Sequence, residues 1–214
     1  MKHFVFFEAL ILTVLILSIG IFAGFFIESW RTGKVVEDYK KFEIGSMDLK
    51  LQNYYFQIMD SANCEEAKKQ NLDFADGIYS EGLIIQRYED LNQLSDDLIL
   101  EKKKYVLLDT ELWLNSILLR EKCGDFHNVV YAYTQYPNDQ KKAEQEAISK
   151  TLEELKKEMG NEIILIPIAG DLGLKAVELQ MKIYNVTYYP SIIIDEEVVL
   201  EGFHTPEEIK KHLN

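Results

Sequence analysis

Apolar and polar positions follow three successive regimes along the chain of 214 residues. From Ala9 to Ile27 the chain reads "ALILTVLILSIGIFAGFFI", without a charged residue. About 20 apolar residues at 1.5 Å rise span a bilayer, whereas the apolar region of a secretory signal is about 7 to 15 residues long. The pattern therefore predicts a short tail over 1–8 and a transmembrane anchor over 9–27. A signal cut near the small residues Ala23 and Gly24 is the alternative.

The second regime, 28–124, is helical. No proline occurs before Pro137, and apolar residues recur three, four and seven apart. Three helices are expected, forming a stalk or bundle. The first runs from Val35 to Met59. The second starts at Cys64, where Asn63 and Glu66 have capping-box spacing, and runs to about Tyr88 through Gly77 and Gly82. The third follows "EDLNQ" and carries the stripe Leu91, Leu94, Leu98, Tyr105, Leu108, Leu112 and Leu119 up to a stop at Gly124. That stripe reads as bundle core rather than a cofactor site.

The third regime, 127–214, alternates short β-branched runs with charged helical stretches. "NVVYAY" reads as a strand, "DQKKAEQEAISKTLEELKKEMG" as a helix, "NEIILIPIA" as a buried strand and "DLGLKAVELQMKIYNV" as a helix. "PSIIID" and "EEVVLEGF" read as a hairpin around an acidic turn. "TPEEIKKHL" closes the chain as a helix, with Thr205 as cap and Pro206 in the first turn. The order is β-α-β-α-β-β-α, so the chain is α+β overall, with an α/β C-terminal domain. The first two strands should be parallel through a right-handed crossover, and the last two antiparallel.

Charge narrows the function. With 23 basic and 36 acidic residues the net charge is −13. That excludes binding of nucleic acid through a basic face. No glycine-rich phosphate loop is present. His3, His127, His204 and His212 are scattered without zinc spacing, so neither a metal nor a cofactor is expected. The sequon "NVT" at 185–187 reads as unmodified so close to a proline loop. The segment 9–27 implies membrane lipid as a partner. Charges flanking it, Lys2 on one side and Arg31 and Lys34 on the other, do not orient it.

The two cysteines, Cys64 and Cys123, fall at the start of the second helix and the end of the third. Antiparallel neighbours of about 25 and 30 residues bring those ends together. Three readings follow: a structural disulfide, two buried thiols, or a redox-active pair. The first is preferred, and it places the bulk of the chain outside the cytoplasm. A clamped bundle would then act as a stalk presenting the C-terminal domain.

The element order over 127–214, with Pro190 directly before the third strand in "TYYPSIIID" and the closing "LEGFHTPEEIKKHL", resembles the thioredoxin-like fold superfamily. That resemblance implies a cis Tyr189–Pro190 bond whose loop faces the start of the first helix of the fold. Members that exchange disulfides carry C-x-x-C there. Here Tyr136, Pro137, Asn138 and Asp139 occupy that place, with no sulfur, and Asn138 or Asp139 caps the helix. Tyr133, Tyr136, Tyr188 and Tyr189 either border a peptide groove or pack. In the family the backbone beside the proline pairs with bound polypeptide, which needs no cysteine. The expected function is a membrane-anchored, extracytoplasmic protein with a redox-inactive thioredoxin-like domain that binds polypeptide or assembles a complex, not an enzyme. The alternatives are a thiol-disulfide oxidoreductase or isomerase using Cys64 and Cys123, and an architectural subunit.

Overall fold

The computed structural model describes residues 10–26, 44, 47, 48, 50, 51, 63–90, 96–124 and 126–213. The chain divides into two compact units, Met1–Ile44 and Gly45–Asn214. In the first unit, helix α1 covers residues 10–26, with its large apolar side chains, Leu10 to Phe26, exposed. At 1.5 Å per residue it extends about 25 Å, against a hydrocarbon core of about 30 Å. Among the described residues no helix is long and apolar enough to cross a membrane. The anchor expected over 9–27 is therefore not supported by the described helix; residues 9 and 27 lie outside the described residues. The helix expected over Val35–Met59 also lies largely outside them, although residues 44, 47, 48, 50 and 51 are helical.

In the second unit, α2 (Cys64–Asp90) and α3 (Asp96–Cys123) form a helical hairpin. Asn63 heads α2: its carbonyl accepts from Ala67 N–H at 3.0 Å and its side chain lies 3.5 Å from Glu66 N. Gly77 and Gly82 do not interrupt the helix. Gly82 makes room for a neighbour, because a Cβ there would sit 2.6 Å from the Tyr105 hydroxyl. The stripe residues Tyr105, Leu112 and Leu119 are buried and Leu98 and Leu108 partly so; Leu91 and Leu94 lie outside the described residues. Gly124, at φ +62, ends α3 by donating to the Arg120 carbonyl at 2.9 Å.

The remaining elements are β1 (His127–Tyr133), α4 (Asp139–Met159), a short 3-10 turn (Gly160–Glu162), β2 (Ile163–Ala169), α5 (Lys175–Ile183), β3 (Ser191–Ile194), β4 (Val198–Glu201) and α6 (Pro206–Lys210). The β-α-β-α-β-β-α order matches the sequence reading. The strands form one mixed sheet in the order β2-β1-β3-β4. β1 is parallel to β2 and antiparallel to β3, which is antiparallel to β4.

β1 explains the layering. Strand side chains alternate between faces. Val130 and Ala132 join Ile164, Ile166, Ile168 and Ile193 under α2, α3 and α5. Val129 and Tyr131 join Ile163, Ile192 and Ile194 under α4 and α6. A strand covered on both faces reads as an unbroken apolar run, as Val129 to Tyr133 of β1 does. The helical hairpin is thus a layer on the sheet and not a stalk standing clear of it: Trp113, Leu112, Val106 and Phe126 share one core with β1 and β2. Pro167 sits in β2, an edge strand, where a sheet tolerates proline.

Candidate functional site

The site forms where β1 runs out. The last β1–β3 pair is Ala132 with Ser191, so the residues before Ser191 reach past the end of β1. There the Tyr189–Pro190 bond is cis. Pro190 continues the hairpin through its carbonyl, which accepts from Gly202 N–H at 2.9 Å. Tyr189 has lost its β1 neighbour. Among the described residues its carbonyl accepts only from the Lys141 ammonium, and its N–H has no backbone partner.

Facing it is the β1–α4 loop. Asn138 caps α4, its side chain accepting from Lys141 N–H at 2.9 Å, and Asp139 is the first helical residue. Of the two caps expected, Asn138 fills the role. Tyr136 is exposed, at 60%, with its N–H 3.3 Å from the Thr134 hydroxyl; Pro137 is half-buried. The loop is held from two sides. Gln145 of α4 accepts from Thr134 N–H at 3.0 Å and donates to the Thr134 carbonyl at 3.2 Å. Asp171, after β2, accepts from Gln135 N–H at 2.7 Å and from the Thr134 hydroxyl. A loop fastened so tightly presents fixed geometry rather than a flap.

The four tyrosines divide. Tyr133 and Tyr189 pack against the core; Tyr136 and Tyr188 are exposed. The Tyr189 ring lies on Gly170, where any Cβ would collide with it. Burial raises the Tyr189 hydroxyl pKa, and the Asp171 charge adds to the rise. Tyr188 donates to Glu144 at 3.2 Å, and its ring lies 3.2 Å from the Lys141 ammonium. The exposed Phe203 stands past β4. No family model and no curated protein matches this chain.

The cysteines are at the other end. Cys64 and Cys123 are joined in a disulfide with Cα atoms 5.5 Å apart. Cys123 precedes β1, and Tyr189 lies beyond its far end; the strand is about 20 Å long. Sulfur and cis-proline are therefore not brought together. Near the disulfide is an ionic cluster that sequence reasoning missed. Asp195 and Glu196, the first two residues of the three-residue hairpin turn 195–197, both have positive φ, 50° and 64°. Glu196 accepts from Trp113 Nε1 at 2.6 Å, Arg120 Nη2 at 2.7 Å and Asn128 Nδ2 at 3.1 Å. Asp195 accepts from Asn128 N–H at 2.8 Å and lies 2.6 Å from His127 Nδ1. His204 lies 3.6 Å from Glu208. Among the described residues no group of three or more His, Cys, Asp or Glu could hold a metal ion. Lys141, Gln145 and Asp171 were also missed. Only Lys141 left a trace in the sequence, as a cation in the first turn of a helix, where the dipole disfavours it.

Proposed function

We propose that this chain is a membrane-anchored, extracytoplasmic protein whose thioredoxin-like part binds an extended segment of a partner polypeptide without redox chemistry. The observation that carries the reading is the Tyr189 main chain. It lies beside a cis-proline, at the end of a sheet, unclaimed by any neighbouring strand. Such an edge accepts an added strand, with hydrogen bonds from backbone and selectivity from flanking side chains. Tyr136, Tyr188 and Phe203 supply exposed aromatic surface beside it. No thiol stands at the start of α4, which argues for binding over exchange. The anchor rests on the uncharged stretch 9–27, and the extracytoplasmic placement on the Cys64–Cys123 disulfide.

The test uses the full chain in its own membrane, with a photocrosslinking benzoylphenylalanine at Tyr188 or, as control, at the exposed Tyr79 of α2. Crosslinks to polypeptide from position 188 and not from 79 are expected. Crosslinks from 79 alone would favour an architectural subunit. Disulfide-exchange turnover that disappears in both Cys64→Ser and Cys123→Ser would replace the binding reading with the enzymatic one.

A further inference from the structure

Among the described residues, a cation beside Tyr189 has a place that nothing above explains. Lys141 is the third residue of α4, after the Asn138 cap. Its ammonium rests on the Tyr189 carbonyl and on the Tyr188 ring. Neither contact is with an anion, in a chain of 36 acidic residues. The acids around it are already engaged. Glu144 takes the Tyr188 hydroxyl at 3.2 Å, Glu201 takes the Thr187 hydroxyl at 3.1 Å, and Asp171 holds the β1–α4 loop. Helix formation does not account for this lysine either, since a cation in the first turn opposes the helix dipole.

Its placement has a consequence for strand addition. The Tyr189 carbonyl is the acceptor that an added strand would take with its own N–H. In the free protein Lys141 already occupies it. A strand that displaces Lys141 leaves its ammonium on the Tyr188 ring, with Glu144 still holding the Tyr188 hydroxyl. The ammonium then takes a new acceptor, and a carboxylate of the bound chain is a stronger one than water or a carbonyl.

We propose that Lys141 is a latch on the groove, closed on the Tyr189 carbonyl in the free protein and released onto an aspartate or glutamate of the incoming segment. The partner is thereby specified as an extended polypeptide carrying an acidic side chain at the position facing α4. Lys141 acts twice: it weakens binding of neutral segments by competing for the carbonyl, and it strengthens binding of acidic ones by pairing with them. This inference rests on the groove reading proposed above.

The experiment measures fluorescence anisotropy of two blocked, labelled peptides of alternating valine and threonine, added to the full chain in detergent. They differ only in one central residue, glutamate or glutamine. The native chain is expected to bind the glutamate peptide about fivefold more tightly, the scale of a partly exposed charged contact. Lys141→Met is expected to bind the glutamine peptide more tightly than the native chain does, and to lose the preference. Lys141→Arg should keep it. Equal binding of both peptides by the native chain, with Lys141→Met unchanged, would overturn the latch and leave the groove standing. Absence of binding to the native chain and to Lys141→Met alike would overturn both.

Discussion

Asp109 lies on α3 with 1% of its surface exposed, and its Oδ2 has no hydrogen-bond partner. Burial raises its pKa strongly; a hydrogen bond with Tyr105 and the charge of Lys102 only partly oppose that. Tyr105, one turn earlier, is raised in turn, first by burial and then by Asp109. The fold therefore holds a proton on Asp109 more tightly than the unfolded chain does. For an acid with a raised folded pKa, that contribution is fully present below the unfolded value of about 3.9 and is lost as pH rises towards the folded one. Asp109→Asn, which fixes the neutral form, is expected to flatten this slope and to be the more stable protein at neutral pH. Urea titrations of both proteins across the acid range check it. None of this was legible beforehand: within the helical stripe Asp109 is one polar residue among many, and only the second covered face of α3 makes it internal.

At the scale of elements the β3–β4 turn shows two demands in conflict. Within this three-residue connection, the β-turn closed by Glu197 N–H on the Ile194 carbonyl needs positive φ at both central residues, a geometry that favours Asn-Gly. This one has Asp195 and Glu196. Left-handed backbone costs a non-glycine residue about 1–2 kcal/mol. A hydrogen bond to a charged acceptor returns about 1.5–3 kcal/mol, and Glu196 receives three. The side-chain contacts win. Glu196→Gly should therefore destabilise the fold by about 2–4 kcal/mol despite a better turn, measured as a lowered denaturant midpoint. The sequence made the hairpin visible through its two β-branched runs, and made the cap at Thr205 visible through the Pro206 that follows it; the structure adds Glu208, which completes a reciprocal capping box. It hid the turn's partners, because Trp113, Arg120 and Asn128 lie 68 to 83 positions away. Local patterns report periodicity and caps; they carry no record of which distant side chains meet.

Across the whole molecule, the disulfide closes a loop between positions 59 apart. Loop entropy assigns such a link about 4 kcal/mol. Reduction, or Cys64→Ser with Cys123→Ser, should lower the unfolding free energy by up to that amount while the shared core of α3 and the sheet keeps the protein folded. Denaturant curves with and without dithiothreitol measure it. The pairing could be read from the sequence because two long helices of similar length fold back on each other. The packing of that hairpin onto the sheet could not, because an exposed bundle and a covering layer share the same period. Pro167 also acts at this scale. It removes one backbone donor from the outer flank of β2. Copies of this protein are thereby discouraged from zipping together flank to flank, so growth of the sheet is steered away from that margin.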